Sequence, residues 1–230
     1  MRLPGLSLVV LTTFAMGSAK AQNDTAVQFG AGPLRGLTCA ECGRKAVQAM
    51  DREKFLFAEV DAEGNVRGWS EKAAVTVLIW PGPDGVQFLV TAASRDGAEA
   101  ERIRNAVRSF LEQAPIDPKA PARIGSADSL PKSKLPAIHF RHEQRAVVPT
   151  LQFFEPGVSI AFQKQGISLS HSEKFVVMGS GPRGLASTFL GPASNGLSAH
   201  LCVVAVSWDE TSSSRLTDTV WREVVKVLFE

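Results

Sequence analysis

The side chains best placed to do chemistry are two thiols, in the run Gly36-Leu37-Thr38-Cys39-Ala40-Glu41-Cys42. Thr38 is a good helix N-cap, and Glu41 three residues on completes a capping box, so a helix is expected to begin just after Thr38. Cys39 then takes the first helical position and Cys42 the fourth, one turn apart. A helix N-terminus gathers unpaired N–H groups and partial positive charge, which favours thiolate over thiol. Two thiolates there could ligate a soft cation such as Cu(I), or the pair could close as a disulfide. Cys42 also shares a helical face with Ala46 and Met50, where a small buried hydrophobe would lie. Cys39 and Cys42 are therefore the candidate metal ligands, and equally a candidate disulfide or buried pair.

The same seven residues resemble the loop of heavy-metal-associated domains, Gly-Met-Thr-Cys-x-x-Cys after a first strand, with Leu37 in place of the methionine. That resemblance implies Cu(I) handling through Cys39 and Cys42. The family sets its second helix before its last strand, whereas here the apolar run Val86 to Ala93 precedes the helix. A third cysteine, Cys202, makes the count odd and leaves at least one thiol outside any intramolecular pair.

Other candidates carry weaker signals. His139, His142, His171 and His200 follow one another in repeat order, but residues three apart on a strand, such as His139 and His142, point to opposite faces. Asp61 and Glu63 flank Ala62 before Gly64-Asn65 and read as solvated turn residues. Arg102, Arg104 and Arg108 interleave with Glu99, Glu101 and Glu112, as on a salt-laced helix surface. Gly179-Ser180-Gly181-Pro182-Arg183-Gly184 lacks the following helix and lysine of a phosphate loop and reads as a hairpin turn. No Gly-x-Ser-x-Gly elbow occurs. With no catalytic set legible, the sequence reads as a non-enzymatic binding protein, using a sheet face or a cleft between repeats. The enzyme question stays open, and the alternative is thiol-redox or copper handling through Cys39 and Cys42.

Arg2, the apolar run Leu6 to Met16 and Ala19-Lys20-Ala21 have the order of a secretory signal, giving an expected mature start at Gln22. The run is shorter than the roughly 20 residues that span a bilayer. Residues 1–21 are thus expected to direct the chain to the periplasm or the medium. The whole chain has 25 Lys+Arg and 23 Asp+Glu; without Arg2 and Lys20 the two balance at 23 each. A neutral chain without a basic tract gives no electrostatic case for nucleic acid. The partner is expected to be a protein or small ligand of the cell envelope, with no resident cofactor and no transmembrane segment once the signal is removed.

Prolines 115, 118, 121, 131 and 136 mark 113–136 as a linker. It separates two α+β units, 22–112 and 137–230. In the first, strands are expected at Ala26–Phe29, Phe55–Val60, Ala73–Trp80 and Val86–Ala93, with helices after Thr38 and after Asp96. The second is expected to have strands within Ile138–Val148, Ile167–Gly179, Ala186–Leu190 and Ala199–Ser207. A helical or irregular stretch should run from Thr150 to Lys164, interrupted by Pro156-Gly157, and a closing helix should carry Leu216, Val220, Val224, Val227 and Leu228 on one face. Leu89–Asp96 parallels Cys202–Asp209, and Val66-Arg67-Gly68 parallels Val177-Met178-Gly179. The expectation is two degenerate strand-helix-strand-strand-strand-helix repeats, each an antiparallel sheet with helices on one face. The order resembles small exported bacterial α+β proteins of uncharacterised function, which implies a fold type and no activity.

Overall fold

The structure, a computed structural model, describes residues 25–229 except 84, 118, 127–134, 147–152, 174 and 193–197. The signal sequence, Asp84 of the first hairpin and much of the later linker therefore lie outside the described residues.

The first unit runs β1 (Ala26–Leu34), α1 (Cys39–Arg52), β2 (Phe57–Val60), β3 (Val66–Trp69), β4 (Ala73–Gly82), β5 (Gly85–Ser94) and α2 (Gly97–Gln113). After β6 (Arg123–Gly125), the second runs β7 (Ala137–Ala146), α3 (Phe154–Lys164), β8 (Ser168–Glu173), β9 (Val176–Gly181), β10 (Gly184–Pro192), β11 (Ser198–Ser207) and α4 (Glu210–Phe229). Both units thus share one order, strand-helix-four strands-helix, with one strand more than the sequence pattern suggested. The extra strand is β3 in the first unit; in the second, the single run expected over 167–179 folds back as β8 and β9. Four residues including Gly68 are too few to show a period of two.

All pairings are antiparallel, in the orders β1-β5-β4-β3-β2-β6 and β7-β11-β10-β9-β8. Three further expectations are corrected. β1 continues through Gly30, Gly32 and Pro33 instead of breaking there, because Pro33 lies on an edge strand, where a missing N–H is tolerated. The linker is not wholly irregular, since Arg123–Gly125 pairs with β2 and prolongs the first sheet. Pro156 and Gly157 do not interrupt the helix of the second unit; they sit in the first turn of α3, where a proline's missing donor is not needed.

The caps expected at Thr38 and Asp96 are formed, and α4 has one at Asp209 that was not expected. Thr38 Oγ1 accepts from Glu41 N, and Glu41 reaches back to Thr38 N at 2.8 Å. Asp96 caps α2 through Ala98 N, and Asp209 opens α4 through Ser212 N. The repeat extends to detail: Ser94 Oγ accepts from Asp96 N, and Ser207 Oγ accepts from Asp209 N, each at 3.1 Å. Between those pairs lie Arg95 and Trp208, equivalent positions that meet one another, the guanidinium 4.3 Å from the ring.

Helices α1 and α2 cover one face of the first sheet, around Val47, Met50, Val75, Val77, Phe88, Val90 and Ile103. α3 and α4 cover the second sheet likewise, around Phe154, Phe162, Leu201, Val203, Val220 and Val224. The remaining faces pack on each other: Val27, Phe29, Leu78, Trp80 and Leu89 meet Met178, Phe189, Cys202, Val204 and Val206. The layers are helix, sheet, sheet, helix. Each large side chain sealed there contributes about 1.5–3 kcal/mol.

One buried cation ties the two helices of the first unit. Lys45 is 5% exposed, and its Nζ donates to Leu111 O at 2.6 Å, in the last turn of α2, which has no basic residue of its own. A positive charge at a helix C-terminus is favourable. Lys45→Met keeps the stem and leaves that carbonyl unpaired. It should lower unfolding stability by about 1–3 kcal/mol, read as a fall in urea midpoint at unchanged m-value.

Candidate functional site

α1 sets the two thiols on different sides of one boundary. Cys39 is half-buried at the first helical position; Cys42, one turn on, is 0% exposed and packs in the core with Ala46 and Met50. Both are free thiols. Burial outweighs the helix end here. It raises the Cys39 thiol, with a backbone hydrogen bond opposing. It pushes Cys42 up to about 12, helped by nearby Cys39 and opposed by Lys45. The thiolate preference expected from the helix N-terminus is thus reversed by desolvation. Cys202 is wholly buried on the inner face of the second sheet, and burial raises its thiol as well.

The turn Asp61–Asn65, between β2 and β3, supports this helix end. Gly64 adopts φ +91°, and a Cβ there would lie 3.5 Å from Cys39 Cβ. Gly43 approaches the Gly64 carbonyl so closely that its own Cβ would sit 2.7 Å away. Asp61 Oδ1 accepts from the backbone N–H groups of Glu63 and Asn65, both at 2.9 Å, so the carboxylate shapes the turn.

Asn65 carries the turn into the contact between units. It is 0% exposed, and its Oδ1 accepts from Ile79 N at 3.0 Å. That bond fixes the amide so that Nδ2 faces His142 Nε2, at 3.2 Å, with Asp61 Oδ2 and Glu63 Oε2 also in reach at 3.2 and 3.3 Å. His142 Nδ1 in turn meets His200 Nε2 at 2.5 Å. Asn65 Nδ2 can only donate, so its contact with His142 Nε2 is satisfied when His142 carries its proton on Nδ1 and donates to His200 Nε2; the same amide also reaches Asp61 and Glu63. Trp80 closes the group, its ring stacked on His200 with centroids 5.1 Å apart and planes 10° apart. Gly191 leaves the room that the Trp80 ring fills.

Sequence order suggested four histidines; the structure unites two of them. His139 faces the other side of β7, with Nε2 3.9 Å from Glu210 on α4, as the strand period requires. His171 lies on β8, outside the pair. Among the described residues, no three His, Cys, Asp or Glu side chains converge as a metal site. Glu63, read as a solvated turn residue, has an exposed side chain yet stands 3.5 Å from His142 Nε2. Asn65, Trp80 and the His142–His200 contact were not legible. His142 and His200 are diagonal neighbours, two residues apart in register on adjacent strands, and Asn65 and Trp80 come from the other unit.

No protein-family model and no curated protein matches the chain. Among solved structures, similarity is found to the di-domain ARO/CYC BexL from the BE-7585A biosynthetic pathway, at 8% identity and TM-score 0.27, over 90% of this chain and 99% of that one. DynU16, a putative protein in the dynemicin biosynthetic locus, matches at 8% identity and TM-score 0.28, over 89% and 97%. The T6SS immunity protein TplEi of Pseudomonas aeruginosa matches at 14% identity and TM-score 0.21, over 87% and 91%. At these scores the likenesses carry no argument about what this chain does.

The thiol environments order their reactivity. In the folded protein near pH 8, iodoacetamide should alkylate Cys39 first and slowly. Cys42 and Cys202 should react only after denaturation, as burial and a thiol near 12 require for Cys42. Peptide mapping after timed alkylation reads this. Equal labelling of Cys39 and Cys42 before unfolding would refute the burial assignment.

Proposed function

We propose that this chain is an exported, non-enzymatic binding protein of the cell envelope, and that its partner is a protein docking on the outer corner formed by α3 and β8. The observation that carries this reading is a group of exposed apolar side chains. Phe153, just before α3, is 56% exposed, Ile160 on α3 is 47%, and Leu169 on β8 is 49%. Phe153 and Ile160 lie seven residues apart, two turns along one side of the helix. Among the described residues β8 is the edge of its sheet, with β9 as its one neighbour, so strand backbone open to pairing adjoins the apolar group. Apolar anchors beside an open edge suit a polypeptide that adds a strand and buries alternate side chains.

This surface is a different one from the sheet face or inter-repeat cleft expected from the sequence, and it is preferred on what covers those faces. Helices cover the outer faces of both sheets, and the inner faces cover each other. Between the sheets, among the described residues, lies a crevice beside Phe29, Ala31, Leu89, Val176 and Phe189. No helix among the described residues is long and apolar enough to cross a membrane. Copper handling through Cys39 and Cys42 ranks second, because Cys42 would have to leave the core to present its sulfur.

A photoreactive amino acid at position 160 should capture one discrete envelope protein, and Leu169→Asp should cut that adduct about tenfold or more, the loss expected of an interface anchor. The same residue placed at position 102, on the far helix layer, should capture none. Equal adducts at both positions, or none at 160, would end the reading. The exported form should begin at Gln22 by intact mass.

A further inference from the structure

We propose that the open edge of β1 takes an extended acidic segment of another polypeptide, which adds a strand there, sets a carboxylate against Arg104 and turns its alternate apolar side chains into the crevice between the sheets. Among the described residues β1 has β5 as its one strand neighbour, so the N–H and C=O groups of alternate residues face away from the sheet. Natural sheet edges are blunted by shortness or by charge. β6, at the far end of the same sheet, has three residues, and β7, an edge of the other sheet, carries Arg141, Glu143 and Arg145. β1 has nine residues and no charged side chain, and its one proline, Pro33, removes a donor only near the end.

The two sides of this edge differ, and the difference specifies the occupant. Val27, Phe29 and Ala31 face the second sheet, so Gln28, Gly30 and Gly32 face α2. α2 runs along the strand: a Cβ at Gly97 would touch Ala26, the stems of Arg104 and Arg108 cross Gly30, and the Glu112 carboxylate lies over Gly32. On the opposite side, a crevice lined by Phe29, Ala31, Val176 and Phe189 runs beside the same strand. A strand added next to β1 sends successive side chains to opposite faces. One falls beside Arg104 and its two neighbours point to the crevice, so the matching segment reads apolar-acidic-apolar.

Arg104 asks for the acid. Its side chain is 2% exposed, yet among the described residues its Nε and Nη2 have no hydrogen-bond partner. Those two N–H groups form one side of the guanidinium fork, the side that grips a carboxylate with two parallel bonds. Glu101 Oε1 stands 3.8 Å from Nη2, too far to bond, and Arg108 is engaged by Glu112 at 2.8 Å. Burial disfavours the Arg104 charge, Glu101 supports it and Arg108 opposes it. A buried guanidinium short of partners is costly, and a carboxylate brought in from outside supplies two charge-assisted bonds. The way in lies past Glu101, whose side chain is 41% exposed and makes no closer ion pair among the described residues. This edge shares no residue with the α3–β8 surface, so the inference does not rest on that docking.

A nine-residue peptide with blocked ends tests it on the full chain: valine alternating with threonine, and glutamate in place of the central threonine. It should bind roughly tenfold or more tighter than the same peptide with central glutamine, the difference that charge-assisted bonds make. Hydrogen exchange should place its protection on the amides of β1. Arg104→Met should bind the two peptides equally, while Leu169→Asp, which breaks the α3–β8 surface, should keep the preference. Should Arg104→Met fail to fold, NMR of the natural chain decides, since the Arg104 Nε–H signal should shift with the glutamate peptide and not with the glutamine one. No preference for glutamate in the natural chain, a preference that survives in Arg104→Met, an unmoved Arg104 signal, or protection on β8 in place of β1 would overturn the proposal.

Discussion

Everything in this fold depends on two sheets that cannot each stand alone. β4 is buried at every position from Ala73 to Trp80, and β11 at every position from Ala199 to Ser207. Strands of that kind need cover on both faces, yet each unit carries helices for only one. The second cover is the other unit's sheet. Dimer-like packing inside one chain solves the problem, and Trp80 shows how closely the faces fit: it touches Phe189, stacks on His200 and occupies space left by Gly191.

An apolar contact of this kind has no intrinsic register. Sheets slide cheaply over one another when side chains are smooth and similar, so fixed pairs at the margins matter more than their energies suggest. Arg95 on Trp208 fixes one such point, and Asn65 on His142 another. The buried polar chain costs desolvation, and a hydrophobic substitute of the same volume could be as stable. What it adds is direction: Asn65, held by Ile79 N, meets His142 of the other unit at one place on the sheet.

Local signals were legible and distant ones were not. The capping box at Thr38 and the cap at Asp96 involve residues two or three apart, and their chemistry is complete within one turn. The repeat was visible in Leu89–Asp96 against Cys202–Asp209 because both segments end a buried strand and begin a capped helix, a transition with strict requirements. β3 escaped notice because four residues carry too little pattern. The His142–His200 contact depends on the register between β7 and β11, and its link to Asn65 depends on how the units stack. Neither leaves a trace in spacing. The stacking itself had a readable sign: Ala73–Trp80 and Leu201–Ser207 are continuous apolar or small runs rather than alternating ones, which marks strands covered on both faces.

The turn Asp61–Asn65 is where the legible and illegible parts of the molecule join. Its Gly64 lies against Cys39 and under Gly43, so the first turn of α1 rests on it, and its Asn65 enters the contact with the second unit. Asp61 holds both ends of the turn by accepting from Glu63 and Asn65. A displacement of the Cys39 end of α1 therefore cannot be absorbed locally. It must move a five-residue turn whose other end is pinned to Ile79 and to His142. The motif that looks most chemical in the sequence and the contact that joins the two units are thus mechanically one element, although they lie in different layers of the fold. That is a physical reason for Gly43 and Gly64 to remain glycine: a Cβ at Gly43 would press on the Gly64 carbonyl and push α1 from the turn, and the φ of +91° at Gly64 is strained for any other residue.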